Sequence, residues 1–253
     1  MSAPPIDEAA PAARPADTAD DARARRRAPS TLAVAWRLAR KDLAIEYRTR
    51  SAFFASLTFS IIGVAIFYFV WDPTAVRAID VAPGVLWTIF AFASLLGLHR
   101  AFAIELQTRA MDALLLAPVS REALFLGKAI ANLVYVSAVL AITIPVAVLF
   151  YNLPIGTGLV VLAGIGVLAA IGMVSVGTLF SSMTVHTRFA ELLLPMLALP
   201  FFIPVVVPAA QASARLLLGR PVSEVADWLQ LLAAFDVIFF TACLLLFPLT
   251  IED

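Results

Sequence analysis

The sequence predicts an all-α membrane protein: six transmembrane helices with an N-terminal amphipathic interfacial helix and a cytoplasmic coupling helix. Three observations predict it. The 253-residue chain is 62% hydrophobic and 14% charged, with mean hydropathy +0.94, whereas a soluble domain carries about 25% charged residues. Its apolar residues gather in six runs of 16 to 23 residues, close to the ~20 that cross a hydrocarbon core. Fifteen of the 18 Lys and Arg fall on one side of those runs once the N-terminus is placed inside, leaving only Arg77, Arg215 and Arg220 outside. Cytoplasmic loops carry such an excess. A multi-pass plasma (inner) membrane protein with both termini cytoplasmic follows.

Residues 1–30 are rich in Ala, Pro, Asp and Arg and poor in bulky apolar side chains. They bury too little to offset the entropy of ordering, so a disordered cytoplasmic tail is expected, ahead of a permease domain at 31–253. Arg25-Arg26-Arg27 has no apolar stretch at the right distance to form a targeting signal. From 31 to 52, Leu32, Trp36, Ala39, Leu43 and Tyr47 share a helical face, with Arg37, Arg40, Lys41 and Arg48 mostly on the others. That pattern suits a helix lying in the inner interface against membrane lipid.

The six spans are expected near 53–70, 83–98, 129–150, 158–180, 192–207 and 229–249. Trp71 and Trp228 fall at outer ends, Trp87 near another, and Trp36 in the interfacial helix, where indoles favour the headgroup level. Asp72-Pro73 initiates a turn in the first outer loop. Span four carries Gly164, Gly166, Ala170, Gly172 and Gly177, small enough for a neighbouring backbone to approach; helix packing and a dimer contact are both open. Asn132 and Tyr135, three apart in span three, suggest a packing hydrogen bond.

Span five holds Pro195, Pro200, Pro204 and Pro208. Each removes a backbone donor, so a straight helix is not expected, and the freed carbonyls should be shielded from lipid. Ala209–Asp227, with Gln211, Arg215, Arg220, Glu224 and Asp227, reads as one or two short amphipathic pieces on the outer surface. Within the spans Asp236 is the one Asp, Glu, Lys or Arg. It lies roughly 10 Å below the outer edge at ~1.5 Å per residue. A carboxylate there costs several kcal/mol unless it meets water, a donor or a proton. Either it serves a pathway or coupling, or its helix starts elsewhere and it sits nearer the headgroups.

Between spans two and three, Leu98–Lys128 concentrates Arg100, Glu105, Arg109, Asp112, Arg121, Glu122 and Lys128. It reads as a handle that grips a separate ATPase. Gly127-Lys128 looks like the end of a Walker A loop. Glu122 stands where its first glycine is needed, however, and Ala129 follows in place of Ser or Thr. The chain itself is therefore expected to be no enzyme, with no catalytic residue, and its energy to come from a partner. His99 and His186 end spans and read as interfacial polar residues before metal ligands, so no metal site is expected. Cys243 is alone, so one chain holds no disulfide. Nucleic acid is not an expected partner.

The loop resembles the pattern of type-2 ABC exporter permeases through Glu105, Leu114-Leu115, Pro118-Val119-Ser120-Arg121, Leu124 and Gly127-Lys128. Within that class residues 33–253 resemble the heme exporter protein B (CcmB) family of cytochrome c maturation. Ala82-Pro83-Gly84 with Leu86-Trp87, Arg100, Glu105, Leu194-Pro195, Leu199-Pro200, Ile203-Pro204 and Ala234-Phe235-Asp236 carry this likeness; residues 1–30 do not share it. The resemblance implies a homodimer on a pair of ATP-binding ABC subunits, working with a heme-handling membrane partner. Heme would be substrate, not a firmly bound cofactor, and ATP hydrolysis would drive its translocation or release. Glu105, Arg109, Asp112, Pro118, Ser120 and Arg121 are the expected coupling residues. Asp236, Pro195, Pro200 and Pro204 are the expected pathway or intramembrane residues. Two rivals are a permease of the same fold for lipid, polysaccharide or drug, and a membrane scaffold that transports nothing.

Overall fold

The computed structural model describes residues 30–99, 102, 120–154, 156, 158–184, 187 and 189–250. Seven α-helices and a closing 3-10 turn account for them: α1 Thr31–Thr49, α2 Ser51–Val70, α3 Ala78–Leu98, α4 Arg121–Tyr151, α5 Gly158–Thr184, α6 Ala190–Leu217, α7 Val222–Leu246 and the turn Phe247–Thr250. Six of the seven are long and apolar enough to cross a membrane, and α1 is not among them. The most enclosed are α3 and α5, with α2 and α7 the most open.

Start and stop signals explain the boundaries. Ser120 caps α4, its Oγ accepting the amide of Ala123 at 3.3 Å, and Glu122 sits in the first turn against the positive helix end. Span three thus begins two turns before the expected 129, because Arg121, Glu122 and Lys128, which read as loop, belong to the helix. Asn152 closes α4 in the left-handed conformation, φ 47. Between α2 and α3, Asp72 accepts the amide and hydroxyl of Thr74 at 2.8 and 2.7 Å, forming the expected turn. Those two donors hold its carboxyl below the ordinary range, and the forked Arg77–Asp80 pair at 2.8 and 3.0 Å raises the Arg77 guanidinium.

Two expectations concern the second half. The four prolines do not break span five: α6 is unbroken through all of them. Each removes one bond from a ladder of 28 residues, and the turns between remain bonded. Nor is it shielded all round. Leu194, Ala198, Phe202, Val205, Ala209 and Ala212 face the core, but Leu192, Met196, Ile203 and Val207 are exposed. The correction is to Ala209–Asp227, which forms no separate surface pieces. Instead α6 extends to Leu217 and α7 starts at Val222. Between them Gly219 takes φ +70, the amide of Arg220 reaches back to the carbonyl of Arg215 at 3.0 Å, and Pro221 precedes α7. A left-handed glycine followed by proline makes a sharp helical stop and restart.

Gly166, Gly172 and Gly177 of α5 are internal packing seats, while Gly164 meets nothing within 4 Å. A methyl on Gly166 would strike Leu140 of α4, and one on Gly177 would strike Leu98 of α3; Ala170 is fully buried. Those contacts lie within one chain, so of the two open readings helix packing holds. Trp87 also departs from its expected headgroup position. It is fully buried in α3 and donates its indole N–H to Ser213 of α6 at 2.9 Å. An inner tryptophan is stable once its one donor is met.

Candidate functional site

Two places in the bundle combine buried charge with close packing. The first is the junction of α1 with the start of α4. Gly127 makes it possible: a methyl there would lie 2.8 Å from the Leu38 Cβ and 2.9 Å from the Ala35 carbonyl oxygen. One turn of α1 therefore rests directly on α4 backbone. Ala35 and Ala39 are fully buried there, while Leu32, Trp36 and Tyr47 are exposed.

Beside Gly127, Lys128 is 3% exposed. Its Nζ lies 2.9 Å from Asp42 Oδ2 and 5.1 Å from the centre of the Phe102 ring; Lys41 approaches Asp42 from outside at 3.1 Å. A buried ammonium needs a partner of opposite charge, and the aromatic face adds a second favourable contact. Gly127-Lys128, superficially the end of a nucleotide loop, is thus a seat and a strut for α1. Phe102 in turn is fully buried and meets Phe247 at 6.0 Å, and Phe247 meets Phe125 at 5.3 Å. Arg121 donates to the Pro248 carbonyl at 3.2 Å. Four parts of the chain converge here: α1, the beginning of the 99–120 connection, the first turns of α4 and the closing turn.

Two helical turns further in, Tyr135 ties three spans. Its hydroxyl donates to the Ala52 carbonyl at 3.0 Å and lies 2.7 Å from Ser56 Oγ, which donates to the Ala93 carbonyl at 2.9 Å. Its ring fills the space that only Gly97 leaves, since a methyl there would overlap it. The expected bond between Asn132 and Tyr135 does not form; Asn132 reaches Thr178 of α5 at 3.0 Å instead. Residues three apart on a helix present their heads to different neighbours whenever those neighbours offer better acceptors.

The second place is the α5–α6–α7 junction. Asp236 stands fourteen residues after Val222, roughly 21 Å along α7 at ~1.5 Å per residue. The side chain is 5% exposed, and neither carboxyl oxygen has a hydrogen-bond partner among the described residues. A methyl on Gly172 of α5 would lie 2.6 Å from Oδ1 and 2.8 Å from the Val205 Cγ2 of α6. The carboxyl is thus fitted where three helices meet, with no donor supplied.

Of the expected coupling residues, Ser120 and Arg121 sit at the head of α4. Glu105, Arg109, Asp112 and Pro118 lie outside the described residues, as do Arg100 and His186. Pro195, Pro200 and Pro204 lie inside α6, and Asp236 inside α7. Sequence reasoning missed Asp42, Lys128 and Tyr135 as a set. The one available signal was a lysine directly after a glycine, immediately before an apolar run.

The chain matches the family model described as "CcmB protein" over residues 33–252. It is similar to heme exporter protein B of Rhodobacter capsulatus, 29% identical over 175 residues, covering 69% of this chain and 80% of that one. It is also similar to heme exporter protein B of Paracoccus denitrificans, 30% identical with the same coverage. A third relative, heme exporter protein B of Pseudomonas aeruginosa, is 29% identical over 182 residues, covering 70% and 79%.

Proposed function

The chain belongs to the CcmB protein family, and from that membership we propose that it is the membrane permease of a heme exporter, driven by a separate ATP-hydrolysing subunit. The 99–120 connection faces the cytoplasm and grips that subunit through Glu105, Arg109, Asp112, Pro118, Ser120 and Arg121. α1 lies in the inner interface, its exposed Leu32, Trp36 and Tyr47 in lipid. Two copies work on an ATPase pair beside a heme-handling membrane protein, and heme reaches the outer face, where c-type cytochromes are assembled.

The observation that carries the mechanical part is the junction of Gly127, Lys128, Asp42 and Phe102. Any pull on the 99–120 connection reaches Phe102 at one end and Ser120 at the other. Both ends are packed or capped onto α4, and α4 carries α1 through a buried ion pair. Force applied there moves helices as bodies, because packed interfaces switch between arrangements without stretching. Deeper in the bundle, near the middle of α7, Asp236 marks the place where α5, α6 and α7 separate or close.

The test combines genetics and purification. Deletion of the gene should remove c-type cytochromes from a heme stain of the producing strain. Glu105→Ala and Arg121→Ala should each do the same with the protein still present in the membrane. The tagged chain should bring down a subunit whose ATP turnover depends on it. Normal cytochromes in the deletion strain would return the fold to export of lipid, polysaccharide or drug. An intact stain in both point variants would remove the role of the connection.

A further inference from the structure

The sequence alone offers no aromatic and arginine pocket, but the fold assembles one. A groove of about 430 Å³ opens between α1, α2 and α4, its lining including Tyr47, Arg50, Phe53, Phe54, Val134 and Tyr135. That volume lies within the ~300–1,000 Å³ typical of small-molecule sites. Its wall is apolar, and its mouth is polar at one place. There the Arg50 guanidinium lies 4.9 Å from the centre of the exposed Tyr47 ring, and its Nε donates to the Tyr47 carbonyl at 3.0 Å. That bond leaves the terminal Nη atoms as the outward-reaching donors of a fork suited to a carboxylate. Arg50 takes φ 56 at the joint of α1 and α2, a backbone conformation uncommon for anything but glycine. Glu46 on the same rim is turned inward, where its Oε1 accepts the Phe53 amide at 3.0 Å.

A ligand fitting this groove has a flat or extended apolar body and an acidic end at the level where an interfacial helix becomes a span. We propose that the groove receives heme from the inner leaflet. Its macrocycle lies along Phe53, Phe54 and Val134, and a propionate rests on the Nη atoms of Arg50. This inference rests on the heme-permease reading and supplies what that reading lacks, a site for the cargo on this chain. Occupancy would be felt beyond the groove. Tyr135 on its floor holds the Ala52 carbonyl and Ser56 and fills the space at Gly97, two residues from the 99–120 connection.

The test uses the full chain with its ATPase subunit, without the heme-handling membrane protein, in nanodiscs of neutral phospholipid, titrated with hemin and read by the shift of its Soret band. The wild type should saturate. Arg50→Gln should weaken binding by about tenfold, the worth of a charge-assisted hydrogen bond. Val134→Trp, which fills the groove from its edge, should abolish it with the complex still assembled. Leu149→Trp, a swap on an exposed position at the far end of α4, should bind as wild type does. Wild-type titration curves in both groove variants would overturn the proposal. So would loss of hemin binding on moving to anionic-phospholipid nanodiscs, which would make the groove a lipid site. The two readings fail separately: if deletion abolishes c-type cytochromes but groove variants bind hemin normally, only the site falls. If cytochromes survive deletion, the export reading itself falls.

Discussion

Replacing Asp236 by alanine should make the protein more stable and inactive at once. The carboxyl is 5% exposed, with no partner for either oxygen among the described residues. A buried polar group left unsatisfied costs about 1–3 kcal/mol. Removing it recovers that cost and opens a void of roughly one water's share of volume, ~30 Å³. At ~24 cal/mol per Å³ of residual cavity the void costs about 0.7 kcal/mol. Alanine also favours the helix over aspartate by about half a kcal/mol. The terms do not cancel: the variant should gain about 1–3 kcal/mol, which for a domain of this size raises Tm by about 2–12 °C. Heme-dependent cytochrome staining should fall to background in Asp236→Ala and in the near-isosteric Asp236→Asn, which keeps shape and polarity but cannot ionise. Thermal unfolding of the detergent-solubilised protein and the stain are measured on the same preparations. Lower stability in Asp236→Ala would refute the reasoning, because it would mean that the carboxyl does have a partner that stabilises it. Full activity in both variants would leave Asp236 a packing residue.

Two further expectations concern the inner junction and the outer loop. Lys128→Met should destabilise by about 1–3 kcal/mol, since it removes the buried partner of Asp42 and leaves that carboxylate to Lys41, while Lys128→Met with Asp42→Leu should cost less than the sum of the two single changes; a double-mutant cycle by thermal unfolding measures the difference. Asp72 should titrate below the ordinary aspartate range, because its carboxylate accepts two donors from Thr74. Its depressed folded pKa makes the turn's contribution complete above about pH 4 and lost as pH falls through the folded value. The carboxyl ¹³C shift of aspartate-labelled protein in nanodiscs follows it, and titration at the free-aspartate value would contradict the turn.

The apolar runs made the six spans legible, since about 20 apolar residues leave few other fates in a chain so poor in charge. What escaped was decided by partners far along the chain. Lys128 reads as loop until Asp42, 86 residues earlier, neutralises it inside the fold. Trp87 reads as an interfacial anchor until Ser213 takes its N–H. Tyr135 reads as a neighbour of Asn132 until Ala52 and Ser56 present better partners. The α6–α7 hairpin was nearer to hand: Gly219-Arg220-Pro221 is a stop and a restart in three residues, outweighed in the reading by the polar residues around it. The prolines leave α6 helical for a physical reason. Losing one ladder bond per turn weakens a helix, but in an apolar medium every alternative conformation loses more.

The two sites lie on different helices, and what joins them is α3. Its last residues pack on Tyr135 through Gly97 and on α5 through Leu98 against Gly177. Further along, Trp87 is hydrogen-bonded into α6 at Ser213. A displacement of the 99–120 connection that tilts α3 therefore presses on α5 and pulls on α6, the two helices that close over Asp236. α6 is suited to yield, because its four prolines remove ladder bonds and lower the cost of bending it. α5 is not, because its glycines let neighbours seat against its backbone and leave it little room to shift. On the proposed reading the stroke should then open the bundle between α6 and α7, with α5 as the fixed wall, and expose the Asp236 carboxyl to whatever enters.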